Sequence, residues 1–141
     1  MATVVARIVA AALGALALMH VYWALGGRVG KSAAVPEVGG QEAFAPSPIA
    51  TLAVAAALTF AASVVAIAGG LFRVGNLGGL FRVLAFGLGA TFIARAVGDF
   101  RLVGFFKRVR GTRFARLDTT VFAPLCLVLG IAVIYVAYHD V

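Results

Sequence analysis

Charge is what this chain has least of. Only 12% of its 141 residues are charged, and only five of those are acidic. A soluble domain carries about 25% charged residues to cover its surface, so a water-soluble globule is excluded. Cysteine is nearly absent: Cys126 stands alone in an apolar run, which rules out an intrachain disulfide. No Cys and His fall at metal-ligand spacing, so the chain calls for no metal and no cofactor. No nucleophile–base motif stands out either, which leaves catalytic residues unknown.

What is there is apolar: 63% of the residues are hydrophobic and the mean hydropathy is +1.08. A bilayer core of about 30 Å needs roughly 20 apolar residues in a helix, and four stretches qualify. They run from about Val4 to Leu25, Ile49 to Gly70, Leu80 to Val97 and Thr120 to Tyr138. The sequence thus predicts an all-α, four-transmembrane-helix bundle, one integral membrane domain over residues 1–141. Two longer loops join the spans, 26–48 and 98–119. The first span has the charged start of a signal peptide, but its apolar run is too long and no A-x-A site follows, so it reads as retained.

Net charge is +7 and the pI about 10.8. Eight cations fall in the first and third loops (Arg28, Lys31, Arg101, Lys107, Arg108, Arg110, Arg113, Arg116), against three on the other side (Arg7, Arg73, Arg82). The positive-inside rule puts those two loops in the cytoplasm and both termini outside. That bias accounts for the basic charge, so nucleic acid is not expected as a partner. The third loop, with Phe100, Phe105, Phe106 and Phe114 among its cations, reads as an interfacial segment on anionic lipid headgroups. The bias toward Ala, Gly, Val and Arg is that of a GC-rich bacterial source, hence a multi-pass protein of the bacterial cell (inner) membrane.

The hexapeptide GGLFRV occurs twice, at 69–74 and 78–83. A phosphate loop needs a preceding strand and a Lys-Ser/Thr, which are missing; the stretch reads as a tight turn between spans two and three. Ala53, Ala57 and Ala61, with Ala10 and Gly14, offer small residues for helix seams. Pro124, early in span four, predicts a kink or local widening.

Ionisable groups at membrane depth are candidates for function. Arg95 and Asp99 are spaced i, i+4 for a salt bridge. Asp118, before Thr119-Thr120, is placed to cap the fourth helix. A fold-back would gather Arg95, Asp99, Arg113, Arg116 and Asp118 into one ion-pair network. His20 lies one turn before Trp23, at the same rim; Tyr22 and Trp23 read as interface anchors. His139 falls at the other end of the bundle, about 25–30 Å away, which argues against a haem held by both histidines.

Several blocks together resemble a known family: His20-x-x-Trp23-Ala24-x-Gly26-Gly27, Arg95-Ala96-x-Gly98 with Gly104-Phe105, Phe114-Ala115-Arg116-Leu117-Asp118-Thr119, and Pro124-Leu125-Cys126-Leu127. They are similar to the bacterial family termed domain of unknown function 3995. The resemblance implies a small four-span membrane protein and no assigned activity. Phe122 stands where that pattern leads one to expect a tyrosine.

The leading expectation is a non-enzymatic protein whose polar cytoplasmic rim (His20, Trp23, Arg95, Asp99, Arg113, Arg116 and Asp118) binds an anionic lipid headgroup, a partner membrane subunit or a second copy. The alternative is a small membrane enzyme or redox subunit using His20 with Asp99 or Asp118. A further alternative is an oligomeric small-solute transporter, against which the charge-free second and fourth spans argue.

Overall fold

The computed structural model describes residues 1–139. Four helices are long and apolar enough to cross a membrane: Ala2–Ala24, Pro48–Ala68, Gly75–Val97 and Arg113–Tyr138. In chain order the elements are α1 (Ala2–Ala24), a single turn α2 (Lys31–Ala34), a two-residue hairpin β1 (Glu37–Val38) and β2 (Gln41–Glu42), α3 (Pro48–Ala68), a 3-10 turn (Gly75–Leu77) leading into α4 (Gly78–Val97), then α5 (Arg113–Leu117), a π turn (Asp118–Phe122) and α6 (Ala123–Tyr138).

Local chemistry sets the boundaries. Ser47 caps α3, accepting the Ala50 N–H at 3.1 Å, and Pro48 follows at the first helical position, where its missing N–H has no partner to lose. The fourth apolar helix starts earlier than the predicted Thr120. Thr112 accepts the Ala115 N–H at 3.0 Å, so the chain turns helical from Arg113 and the third loop is shortened by its last residues. The widening expected at Pro124 is present one turn upstream: the Ala123 N–H reaches the Asp118 carbonyl, one residue farther than in an α-helix. In the first loop, Gly39 and Gly40 take φ of 61° and 83° to close the hairpin in which Glu37 faces Glu42.

α1 packs along α3 and α4 along α6, and the α3–α4 and α1–α6 faces close the bundle. Its core is small and branched, with Leu13, Val64, Val65, Val133 and Val136 fully buried. The seams differ in part from the predicted alanines. Ala61 is buried, but Ala53 and Ala57 are exposed and a side chain at Gly14 would meet open space. The close approach is made instead at Gly89 and Gly130, where a Cβ on Gly130 would lie 2.9 Å from the Gly89 carbonyl oxygen. Removing both side chains lets α4 and α6 touch backbone to backbone, where lipid supplies no hydrophobic drive for association.

GGLFRVGNLGGLFRV is the turn it resembles: Gly70 and Gly75 adopt positive φ between α3 and α4. Gly69 lies against Ala6 and Val136, and the Arg82 Nε donates to the Ala137 carbonyl at 3.1 Å. Residues near both termini and the second loop therefore share one end of the bundle. The first and third loops share the other, where α2 and β1 meet α5.

Candidate functional site

The polar residues at the end formed by loops one and three separate into two groups. The first is centred on Asp118, whose side chain is 0% exposed. The π turn carries it inward, and two hydroxyls back-bond beside it: Thr119 Oγ1 to the Ala115 carbonyl at 3.1 Å and Thr120 Oγ1 to the Arg116 carbonyl at 2.9 Å. Arg95, from the last turn of α4, donates through Nη2 to Asp118 Oδ1 at 2.9 Å. Lys107 Nζ donates to Asp118 Oδ2 at 3.0 Å, and the Gly104 N–H reaches the same oxygen at 2.7 Å. The remaining two Lys107 N–H groups go to the Gly104 carbonyl at 2.8 Å and Thr119 Oγ1 at 2.7 Å. An ammonium has three donors, so Lys107, itself 3% exposed, is saturated. Arg95 Nη1 alone lacks a partner, as the one such buried side-chain atom among the described residues.

Backbone geometry makes this cluster possible. Gly98 (φ 97°) and Gly104 (φ 86°) cross so closely that a Cβ on either would collide with the other strand of the loop, and the Phe105 N–H bonds the Ala96 carbonyl at 2.8 Å. Asp99 ties the intervening loop: its Oδ1 accepts from the backbone N–H groups of Arg101 at 2.8 Å, Leu102 at 2.7 Å and Val103 at 3.0 Å. The Val103 N–H foremost holds this carboxyl below its ordinary value of 3.8; burial, next in weight, works the other way, and the Arg101 and Leu102 N–H groups add to the lowering.

The structure therefore corrects the expected ion-pair network. Arg95 pairs with Asp118 and not with Asp99, which is exposed and engaged by its own loop. Asp118 lies five residues inside the helix and caps nothing; the cap is Thr112. Arg113 is exposed, and Arg116 turns back to the Gly111 carbonyl at 3.3 Å, so neither joins the cluster. Lys107, which sequence reasoning left among the loop cations, does. Its eleven-residue separation from Asp118 follows no helical period, so only the folded loop reveals the pair.

The second group lies where α1 and α3 separate beneath the first loop. His20 Nδ1 stands 2.8 Å from the Leu16 carbonyl. A carbonyl only accepts, so Nδ1 carries a proton, and when the ring is neutral Nε2 is its acceptor. The imidazole meets Trp23 edge to face, centroids 4.9 Å apart. Trp23 is buried, and its Nε1–H donates to the Val29 carbonyl at 2.8 Å; it ties down the first loop, while Tyr22 is the residue left exposed. Between them and the start of α3 is a cavity of ≈ 470 Å³. Its walls are mostly apolar (Trp23, Val35, Phe44, Pro46, Ala50, Val54), with His20, Lys31, Ser47 and Thr51 as polar members.

Neither Asp99 nor Asp118 lines this cavity, so the predicted pairing of His20 with a carboxylate is not made there. His139 lies at the opposite end, stacked on Tyr135 with centroids 4.1 Å apart and bonded to its carbonyl. Among the described residues no three His, Cys, Asp or Glu come together as metal ligands.

A family model described as protein of unknown function (DUF3995) matches residues 13–133. No curated protein and no solved structure matches the chain.

Proposed function

The chain belongs to the DUF3995 family, which has no assigned activity, so we propose its role from its own residues: it binds an anionic membrane lipid at the rim of its bundle, in the cavity under the first loop. The observation that carries this reading is that cavity. It has the size and composition of a ligand site, ≈ 470 Å³ with apolar walls and few polar groups. Lys31 is the one Lys, Arg, Asp or Glu on its wall and, as a cation, favours an anionic headgroup, while Trp23 and Val54 favour acyl chain. The third loop serves the same partner from outside, its exposed Phe100 and Phe106 packed together at 6.4 Å among cations that rest on anionic headgroups. The compartment that fits is a bacterial cell membrane, with this rim on the cytoplasmic face.

Native mass spectrometry from nanodiscs of mixed zwitterionic and anionic lipid tests the proposal. One anionic lipid retained in defined stoichiometry, and lost on Lys31→Glu or on filling the cavity by Val54→Trp, supports it. A lipid-indifferent protein, or retention untouched by both substitutions, removes it.

A further inference from the structure

The cavity's hydrogen-bonding groups specify more than charge. Several of the side-chain groups on its wall are already engaged. The Trp23 N–H is held by Val29, the Thr51 hydroxyl donates to the Ser47 carbonyl at 2.9 Å, and the His20 Nδ1–H is held by Leu16. What is left is the Lys31 ammonium, which makes no hydrogen bond or ion pair among the described residues, the Ser47 hydroxyl proton, whose oxygen already accepts from Ala50, and His20 Nε2. Lys31 also borders a neighbouring cavity that it shares with Glu42, without forming an ion pair with it.

The unused set is therefore a cation, a hydroxyl donor and the His20 Nε2 acceptor, beside the spare lone pairs of the Ser47 and Thr51 hydroxyl oxygens. A phosphodiester satisfies the first two. It offers nothing to the neutral His20 Nε2, an acceptor that a headgroup hydroxyl would satisfy. Resting on the lipid-binding reading above, we infer that the cavity selects an anionic headgroup that itself carries a hydroxyl: the phosphoglycerol class, phosphate on Lys31 and Ser47, glycerol hydroxyl donating to His20 Nε2. The fixed tautomer makes His20 the specificity-determining residue. With Nδ1–H held by Leu16, the neutral ring cannot reverse its roles to suit a headgroup that lacks a donor.

The test compares two lipids of the same charge, phosphatidylglycerol and phosphatidylmethanol, the second having no headgroup hydroxyl. Each is diluted into zwitterionic nanodiscs and its retention read by native mass spectrometry. The wild-type protein should retain phosphatidylglycerol about tenfold more strongly, the scale of one well-made hydrogen bond. His20→Phe should bring the two lipids level without loss of phosphatidylmethanol, and Lys31→Gln should weaken both. Equal retention of the two lipids by the wild type overturns the inference while lipid binding stands. Retention of neither above the zwitterionic background overturns both.

Discussion

Two polar groups sit at the same end of this bundle and differ in what they leave undone. Around Asp118, both carboxylate oxygens and all three Lys107 donors are engaged within the chain; Asp118 and Lys107 are buried, and Arg95 Nη1 is the one buried side-chain donor left without a partner among the described residues. Around His20, an acceptor, a cation and a hydroxyl proton line an open cavity. Polar groups at membrane depth are often taken as functional without distinction. Here the contrast separates them: a buried carboxylate whose oxygens are both filled from within the chain holds the architecture, and a cavity wall with a free cation, hydroxyl proton and acceptor is available to a ligand. Asp118, Arg95 and Lys107 pin the third loop across the ends of α4 and α6; His20 and Lys31 wait for a partner.

The contrast can be broken most forcefully at Asp118. Asp118→Asn retains the shape but leaves Arg95 and Lys107 without a counter-charge and sets an amide N–H against donors. Removing one partner of a buried pair costs about 3–5 kcal/mol, so thermal unfolding in detergent should show a large loss of stability. A near-neutral result would mean that the cluster is not structural. Gly104→Ala comes next: at φ 86° a Cβ would strike the Gly98 backbone, and about 1–3 kcal/mol should be lost, accompanied by release of the third loop to proteolysis. The Asp99 turn gives a smaller, local effect that depends on pH. Its carboxyl is depressed in the folded state, so its contribution is complete above the unfolded value and disappears as pH falls through the lower, folded one. The protection of the Arg101, Leu102 and Val103 amides, relative to intrinsic exchange, should therefore be full above about pH 4 and be lost only as the pH falls through a value below 3.8; Asp99→Ala should remove both the protection and its pH dependence. Smallest in stability is Lys31→Gln, within about 0.5 kcal/mol in the unfolding assay, although it should reduce anionic lipid retention. A large loss of stability there would place Lys31 with the closed cluster.

Much of the fold was legible because the bilayer is a demanding solvent. Runs of about 20 apolar residues have few alternatives to a spanning helix, and Pro48, the glycines around residue 75 and Pro124 each act locally. The short hairpin in the first loop was not legible, since two-residue strands carry no periodic signal. The site was legible only in part. His20 and Trp23 were drawn together by their spacing on one helix, and Arg95 and Asp118 by their charge. The wrong partner for Arg95 came from the same reasoning: i, i+4 spacing puts Asp99 within reach, but Asp99 lies beyond the helix end at Gly98, where the chain turns away and offers it three backbone N–H groups instead. Lys107 and Lys31 looked like ordinary positive-inside cations. Their difference from Arg113 or Arg108 is tertiary, one folded under a glycine crossing and the other set on a cavity wall.

The most direct measurement is photo-crosslinking of the protein in nanodiscs with phosphatidylglycerol carrying a diazirine near its headgroup, followed by peptide mapping. The expected result is a concentration of adducts on His20–Trp23 and on residues 31–54, abolished by Val54→Trp, with none on Lys107 or Asp118. Adducts spread evenly along the lipid-facing sides of α4 and α6, or gathered on Lys107 and its neighbours, would contradict the division between a closed structural cluster and an open binding cavity.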